Sequence, residues 1–144
     1  MSDTQQRNFS RLLHLTAHAW RLAIDRRLKG NGLSMNSWLA VATIAGANEP
    51  MTQKALAQEL GLEEASVVPL IDRLVRQSLV QRVQPQEDRR KRLLLVTEQG
   101  REVFRHVKIE ADALRSELLA NIDEQDLAVT QKVLQQLLTA NGAN

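Results

Sequence analysis

Residues 52–78 read TQKALAQELGLEEASVVPLIDRLVRQS, and this stretch decides the fold. Leu56, Ala57 and Leu60 recur at helical spacing, Gly61 interrupts, and Val67, Leu70, Ile71 and Leu74 resume the apolar stripe. The pattern predicts helix, tight turn, helix. Ala57 lets two helices approach closely, and Gly61 supplies a backbone of positive φ at the turn. Leu60, Leu62, Val67 and Leu70 are the expected filling of the small core that sets the interhelical angle. Taken alone, the same spacing also suits an αα-hairpin with no partner.

The residues that follow choose between these readings. Residues 79–97 read LVQRVQPQEDRRKRLLLVT. Leu79, Gln81 and Val83 alternate with Val80, Arg82 and Gln84; a polar and acidic turn, Pro85 to Asp88, comes next; then Leu93 to Val96 forms a second apolar run. The period has changed from helical to alternating, which predicts a β-hairpin of two short strands around a charged loop. Directly after a helix-turn-helix, such a hairpin makes a winged helix. Charge concentrates there: Arg82, Arg89, Arg90, Lys91 and Arg92 face only Glu87 and Asp88, a net +3, so the rest of the chain sums to −1 within a total of +2. One cationic element on a nearly neutral body suits a focused phosphate contact. A solvated charge run with no ligand is the alternative.

Outward from this centre, the apolar residues Phe9, Leu12, Leu13, Thr16, Trp20, Ala23, Ile24 and Leu28 predict a first helix over 8–29, ended by Gly30-Asn31-Gly32. Ser34 is the expected cap of a second helix whose face is Trp38, Val41, Ala42 and Ala45, broken between Gly46 and Pro50, and Thr52 caps the third. Thr97 caps a fifth, with Val103, Phe104, Val107, Ala111, Leu114 and Leu118 as its stripe. Asp123 caps a sixth, with Leu127, Thr130, Val133, Leu134, Leu137 and Leu138, and Gly142 lies near its end. The expected architecture is therefore mainly α, with six helices and a small β-hairpin wing. It forms one domain over 1–144, with a winged helix-turn-helix part over 34–96 and outer helices over 8–29 and 97–141. A core of roughly 50 residues cannot cover the stripes of those outer helices. They either pack within one chain or meet a second copy; an isologous twofold homodimer would match a palindromic DNA site.

The 144 residues favour a single domain, and 43% hydrophobic with 25% charged residues argues against disorder or low complexity. Cysteine is absent, which excludes disulfide scaffolds, thiolate zinc sites and thiol catalysis. No Gly-rich phosphate loop, HExxH motif or nucleophile–base set is visible, so neither an enzyme nor a cofactor is expected. The polar opening residues and the lack of any run of roughly 18 apolar residues predict a cytoplasmic chain without a membrane partner.

At this point the chain resembles the MarR/SlyA family of winged-helix transcription regulators. The resemblance is carried by Ala57-Gln58-Glu59-Leu60-Gly61-Leu62, by Leu70-Ile71-Asp72-Arg73-Leu74, and by Asp88-Arg89-Arg90 running on to Val96-Thr97-Glu98. In the first helix Trp20-Arg21 and Ile24-Asp25-Arg26-Arg27-Leu28-Lys29 match the SlyA branch. The resemblance spans nearly the whole chain. It implies a homodimer with the first and last two helices interleaved. Such a dimer binds double-stranded DNA at a pseudo-palindromic operator and is often loosened by a small phenolic or other aromatic anion.

In a winged helix the second helix of the turn, here about Glu63 to Gln77, lies in the major groove, where base edges present distinguishable patterns. Its expected outward residues are Glu64, Ala65, Val68, Pro69, Asp72, Arg73 and Arg76, and Ser66 can donate to a phosphate or a base. This helix is poorly basic: Glu63, Glu64 and Asp72 outnumber Arg73 and Arg76. The SlyA-like pattern has an arginine where this chain has Pro69. Proline removes the amide that would bond to Ala65, so either the helix kinks there or its first turn is irregular. Base readout would then shift toward van der Waals contact and DNA shape, unless the proline is simply tolerated. In the wing, Arg89, Arg90 and Lys91 can reach the adjacent minor groove. The resemblance assigns Arg90 as the inserted side chain, with Asp88 orienting it by a salt bridge and Arg89 supporting the wing; the roles of Arg89 and Arg90 can also be exchanged.

His14 and His18 share one helical face, but two ligands are too few for a structural zinc site, and packing through ring carbons is the simpler reading. By resemblance, His18, Arg21 and Trp38 lie near a crevice that takes the aromatic anion, Arg21 pairing its carboxylate and Trp38 stacking its ring. Trp20 is expected in the core. A second function remains open, a winged-helix module that holds proteins and not DNA, suggested by the acidic reading helix and Pro69.

Overall fold

The structure is a computed structural model and describes residues 1–142. Helix α1 (Asp3–Leu28) runs through a 3-10 turn (Lys29–Asn31) to α2 (Met35–Gly46). Strand β1 (Met51–Thr52), α3 (Gln53–Leu60) and α4 (Glu64–Arg76) follow, then β2 (Val80–Val83), β3 (Leu93–Val96), α5 (Glu98–Leu119) and α6 (Glu124–Ala140). Six α-helices with a small antiparallel sheet are the winged-helix architecture expected from the periodicities. Contacts gather into two compact units, Met1–Asp112 and a second beginning at Ala113, with α5 continuous through the boundary.

The caps explain where most helices begin. The Ser34 hydroxyl accepts from the Ser37 amide, Thr52 from Ala55, and the Asp123 carboxylate from Gln125 and Asp126. Thr97 Oγ1 accepts from the Gly100 amide at 2.9 Å. The expected start of α1 at Asn8 needs correction, because the helix begins at Asp3. Ser2 and Gln5 form a capping box there, and hydrophobic periodicity is blind to a polar first turn that closes on its own side chains.

The sheet is also larger than the sequence suggested. Met51 and Thr52 pair with Leu94 and Leu93, giving the order β1-β3-β2, so the wing hairpin is anchored by a third short strand. In the hairpin Val80 faces Val96 and Val83 faces Leu93. Leu94, fully buried, points into the core that α2, α3 and α4 build from Val41, Leu56, Val67, Ile71 and Leu74. Here the expectation is corrected in detail. Val67 is buried, but Leu60, Leu62 and Leu70 are only half-buried, and the centre belongs to Leu56, Ile71 and Leu74. On α2 the buried face is Ser37, Trp38, Ala40, Val41 and Ile44, and Ala42 and Ala45 sit on its margin. Of the tryptophans, Trp38 is the core residue and Trp20 is half-exposed, the reverse of what α1's stripe suggested.

Two backbone positions make this packing possible. Gly61 closes α3 at φ 67°, its amide bonding back to the Ala57 and Gln58 carbonyls, a left-handed turn that glycine adopts without strain. Gly100, in the first turn of α5, lies against the end of α4: a Cβ there would fall 2.2 Å from the Leu79 carbonyl oxygen. Nearby, Asp25 of α1 accepts from the Met35 amide at 2.7 Å, placing a carboxylate at the positive start of α2. Arg27 and Glu110 pair at 2.9 Å and join α1 to α5.

No helix among the described residues is long and apolar enough to cross a membrane. Outside the winged part, apolar side chains remain bare. Phe9, Leu12, Leu13, Leu15 and Leu22 on α1 are exposed, as are Val129, Val133, Leu134 and Leu138 on α6, a helix with no buried residue.

Candidate nucleic-acid interface

Helix α4 presents Glu64, Ala65, Ser66, Val68, Pro69, Arg73 and Arg76 to solvent, while Val67, Ile71 and Leu74 hold it to the core. Pro69 lies within the helix, and the first turn is irregular: the Ser66 amide bonds to the Glu63 carbonyl three residues back at 2.9 Å. The other helix starts at Ser2, Ser34, Thr97 and Asp123 make the four-residue bond. Of the two outcomes left open for Pro69, tightening of the first turn is therefore present. The helix ends at Gln77, and Ser78 takes the left-handed conformation at φ 63°, which glycine usually supplies.

Asp72, expected among the outward residues of α4, is instead held by Arg82 of β2. The guanidinium Nη2 donates to Asp72 Oδ1 at 2.5 Å, and its Nε donates to Gln53 Oε1, in the first turn of α3, at 2.8 Å. One half-buried arginine thus ties together the reading helix, the wing and the start of α3. This corrects both charge counts. Arg82 is internal to the fold and leaves the wing's free positive charge smaller, and Asp72 is neutralised, which lifts the acidic excess of α4. Nothing local in the sequence announces the pairing, since the partners are ten and 29 residues apart.

The loop between β2 and β3 carries the other cations. The Arg90 side chain is 94% exposed, and its Nε donates to Asp88 Oδ1 at 3.3 Å. The Arg90 amide donates to the same oxygen at 3.1 Å. Asp88 thus fixes both the backbone and the guanidinium of Arg90. The Lys91 amide bonds to the Asp88 carbonyl at 3.2 Å, and the Gln84 side-chain amide donates to the Arg89 carbonyl across the loop. Arg89 and Lys91 are exposed. Between the wing and the starts of α3 and α4 runs an open cleft of about 280 Å³, lined by residues 52–54, Glu64 and residues 90–92. Lys54 in this cleft was not singled out from the sequence, and Arg92 entered only in the charge count of the wing.

The residues expected to receive an anion are less well assembled. His18 and Arg21 project from an exposed stretch of α1. Trp38 is 7% exposed, so its ring faces are covered in the single chain, and its Nε1 is buried without a hydrogen-bond partner among the described residues. His14 is exposed as well, and no group of three metal-ligating side chains occurs among the described residues.

Comparison with known proteins agrees with this geometry. A family model described as the MarR family matches residues 33–91. The transcriptional regulator PA3341 is 34% identical, with a TM-score of 0.84 over 94% of this chain and 99% of that one. CouR from Rhodococcus jostii RHA1, solved with p-coumaroyl-CoA bound, is 25% identical, with a TM-score of 0.84 over 94% and 95% of the two chains. AbsC, a MarR family regulator from Streptomyces coelicolor, shares the fold at a TM-score of 0.88 and 22% identity over 100% and 98%.

Proposed function

This chain belongs to the MarR family of winged-helix transcriptional regulators, and on that footing we propose that it is a homodimer that binds a pseudo-palindromic operator and releases it when a small aromatic anion binds. The Asp88–Arg90 arrangement carries the reading. A guanidinium 94% exposed, yet paired through Nε with a carboxylate that also accepts from the Arg90 backbone amide, is pre-positioned for an acceptor outside the protein. Arg90 enters the minor groove beside the site where α4 lies in the major groove, and Arg89 and Lys91 meet phosphates on either side. On α4, Arg73, Arg76 and Ser66 supply polar contacts beside Val68 and Pro69.

The second copy covers the exposed apolar residues of α1, from Phe9 to Leu22, and those of α6. For the effector, Arg21 supplies the cationic side with His18 one turn before it on α1, and Trp38 Nε1 is a donor without an acceptor among the described residues. That CouR was solved with p-coumaroyl-CoA supports an effector that carries an aromatic ring. The alternative of a protein-binding module rested on the acidity of α4 and on Pro69; the Arg82–Asp72 pair offsets the net negative charge of α4, which leaves Pro69 as the feature that favours it.

Titration of an operator at several salt concentrations tests the reading. Arg90→Ala is expected to weaken binding by at least about tenfold and to lower the log–log salt slope by roughly two, about one for each copy of the chain on the operator. An Arg90→Ala protein with unchanged affinity and slope would take the wing out of the mechanism.

A further inference from the structure

Between residues 34 and 96, Val68 is the only large apolar side chain among the described residues that stays exposed, at 39%. Ala65 and Pro69, three residues before and one after it on α4, are exposed too. Residues three and four apart share a helix face, so these three form a continuous surface of methyls and a ring over the first half of α4. Glu64, also exposed, opens the helix one turn before Val68, and the other charges lie farther along or are drawn away. Arg73 and Arg76 belong to the second half of the helix, and Asp72 is drawn to Arg82. A single exposed valine is ordinary on a protein surface; its place is what matters. The first half of a recognition helix is the part that meets base edges.

None of these three side chains can donate or accept a hydrogen bond, and Pro69 lacks even a backbone amide. Among the groups that bases expose in the major groove, one is apolar, the 5-methyl of thymine. Resting on the DNA-binding reading above, we infer that Ala65, Val68 and Pro69 read thymine 5-methyl groups. The central selectivity of this regulator is then for thymine at neighbouring positions of each half-site, obtained by desolvating methyls and not by hydrogen bonds to guanine. Alanine and proline have no side-chain rotamers to lose, and valine has few, so such contacts carry little entropic cost.

The test removes one methyl at a time from the DNA. An operator is selected from random duplexes with the full-length protein, and each thymine is replaced singly by deoxyuridine. Two or three adjacent positions per half-site should each lose roughly fourfold in affinity, the weight of one buried methylene. Uracil at the remaining positions should have no effect. Val68→Ala should shrink the uracil penalty at one position and leave the salt slope intact, since no phosphate contact is lost. Pro69→Arg should remove a penalty and bring in a preference for guanine. Tight, selective binding that is indifferent to every uracil replacement would overturn the inference and leave the regulator reading standing. Failure to bind any duplex would overturn both.

Discussion

The winged part, residues 34–96, and the helices that flank it solve the problem of apolar surface in opposite ways. Within the former, Leu56, Val67, Ile71, Leu74, Val80 and Leu94 are all at or near zero exposure, and Val68 alone among the bulky apolar residues faces solvent. In the flanking helices the bare residues dominate: Leu12 is 63% exposed and Val129 60%. The first region closes its apolar residues into one core. The second leaves apolar surface uncovered in one copy, the surface that the proposed second copy would bury. The difference teaches that exposed apolar surface reads differently by place: on the proposed reading, the long stripes of the outer helices serve association and the lone patch on the reading helix meets a ligand.

The comparison can be broken hardest at α1. Leu12→Glu should convert the dimer to monomer in analytical ultracentrifugation and lower operator affinity by about 100-fold or more, because the second half-site then loses its intramolecular advantage. Circular dichroism of the winged part should stay native. Next is Gly100→Ala, which forces a Cβ to 2.2 Å from a backbone oxygen that cannot yield, and to 2.8 Å from Val96 Cγ1. It should cost about 3 kcal/mol in urea unfolding, an overpacking effect at the upper end of the usual range. Arg82→Ala removes a half-buried cross-link whose partner Asp72 is 42% exposed, so solvent screening keeps its cost to about 1 kcal/mol. Its salt slope for DNA should match that of the parent protein, which separates it from Arg90→Ala. Smallest is Ser78→Gly, which relieves a left-handed serine and should gain about 0.5 kcal/mol, read as a small rise in Tm.

What could be read from the sequence follows the range of the interactions. The caps at Ser34, Thr52, Thr97 and Asp123 were legible because a hydroxyl or carboxylate and the amides it serves lie within three residues. The wing strands were legible because alternation is itself a local pattern. The pairing of Met51 and Thr52 with β3 was not, since two residues are too few to show a period and their partners lie about forty positions on. Arg82 looked like one more wing cation because charge counting ignores direction, and only the fold turns it inward to Asp72 and Gln53. The Asp88–Arg90 salt bridge, expected through the family likeness, is present, and its partners are close enough in sequence for that geometry to be local.

Thr97 has a mechanical consequence. Its hydroxyl donates to the Ser78 carbonyl at 2.6 Å and accepts from the Gly100 amide at 2.9 Å, and its own amide bonds to the Leu79 carbonyl at 3.1 Å. The foot of α5, a rod about 33 Å long at the usual rise per residue, is thereby riveted to the point where α4 ends. A displacement of the first turn of α5 would have to strain these three bonds or carry the end of the reading helix with it.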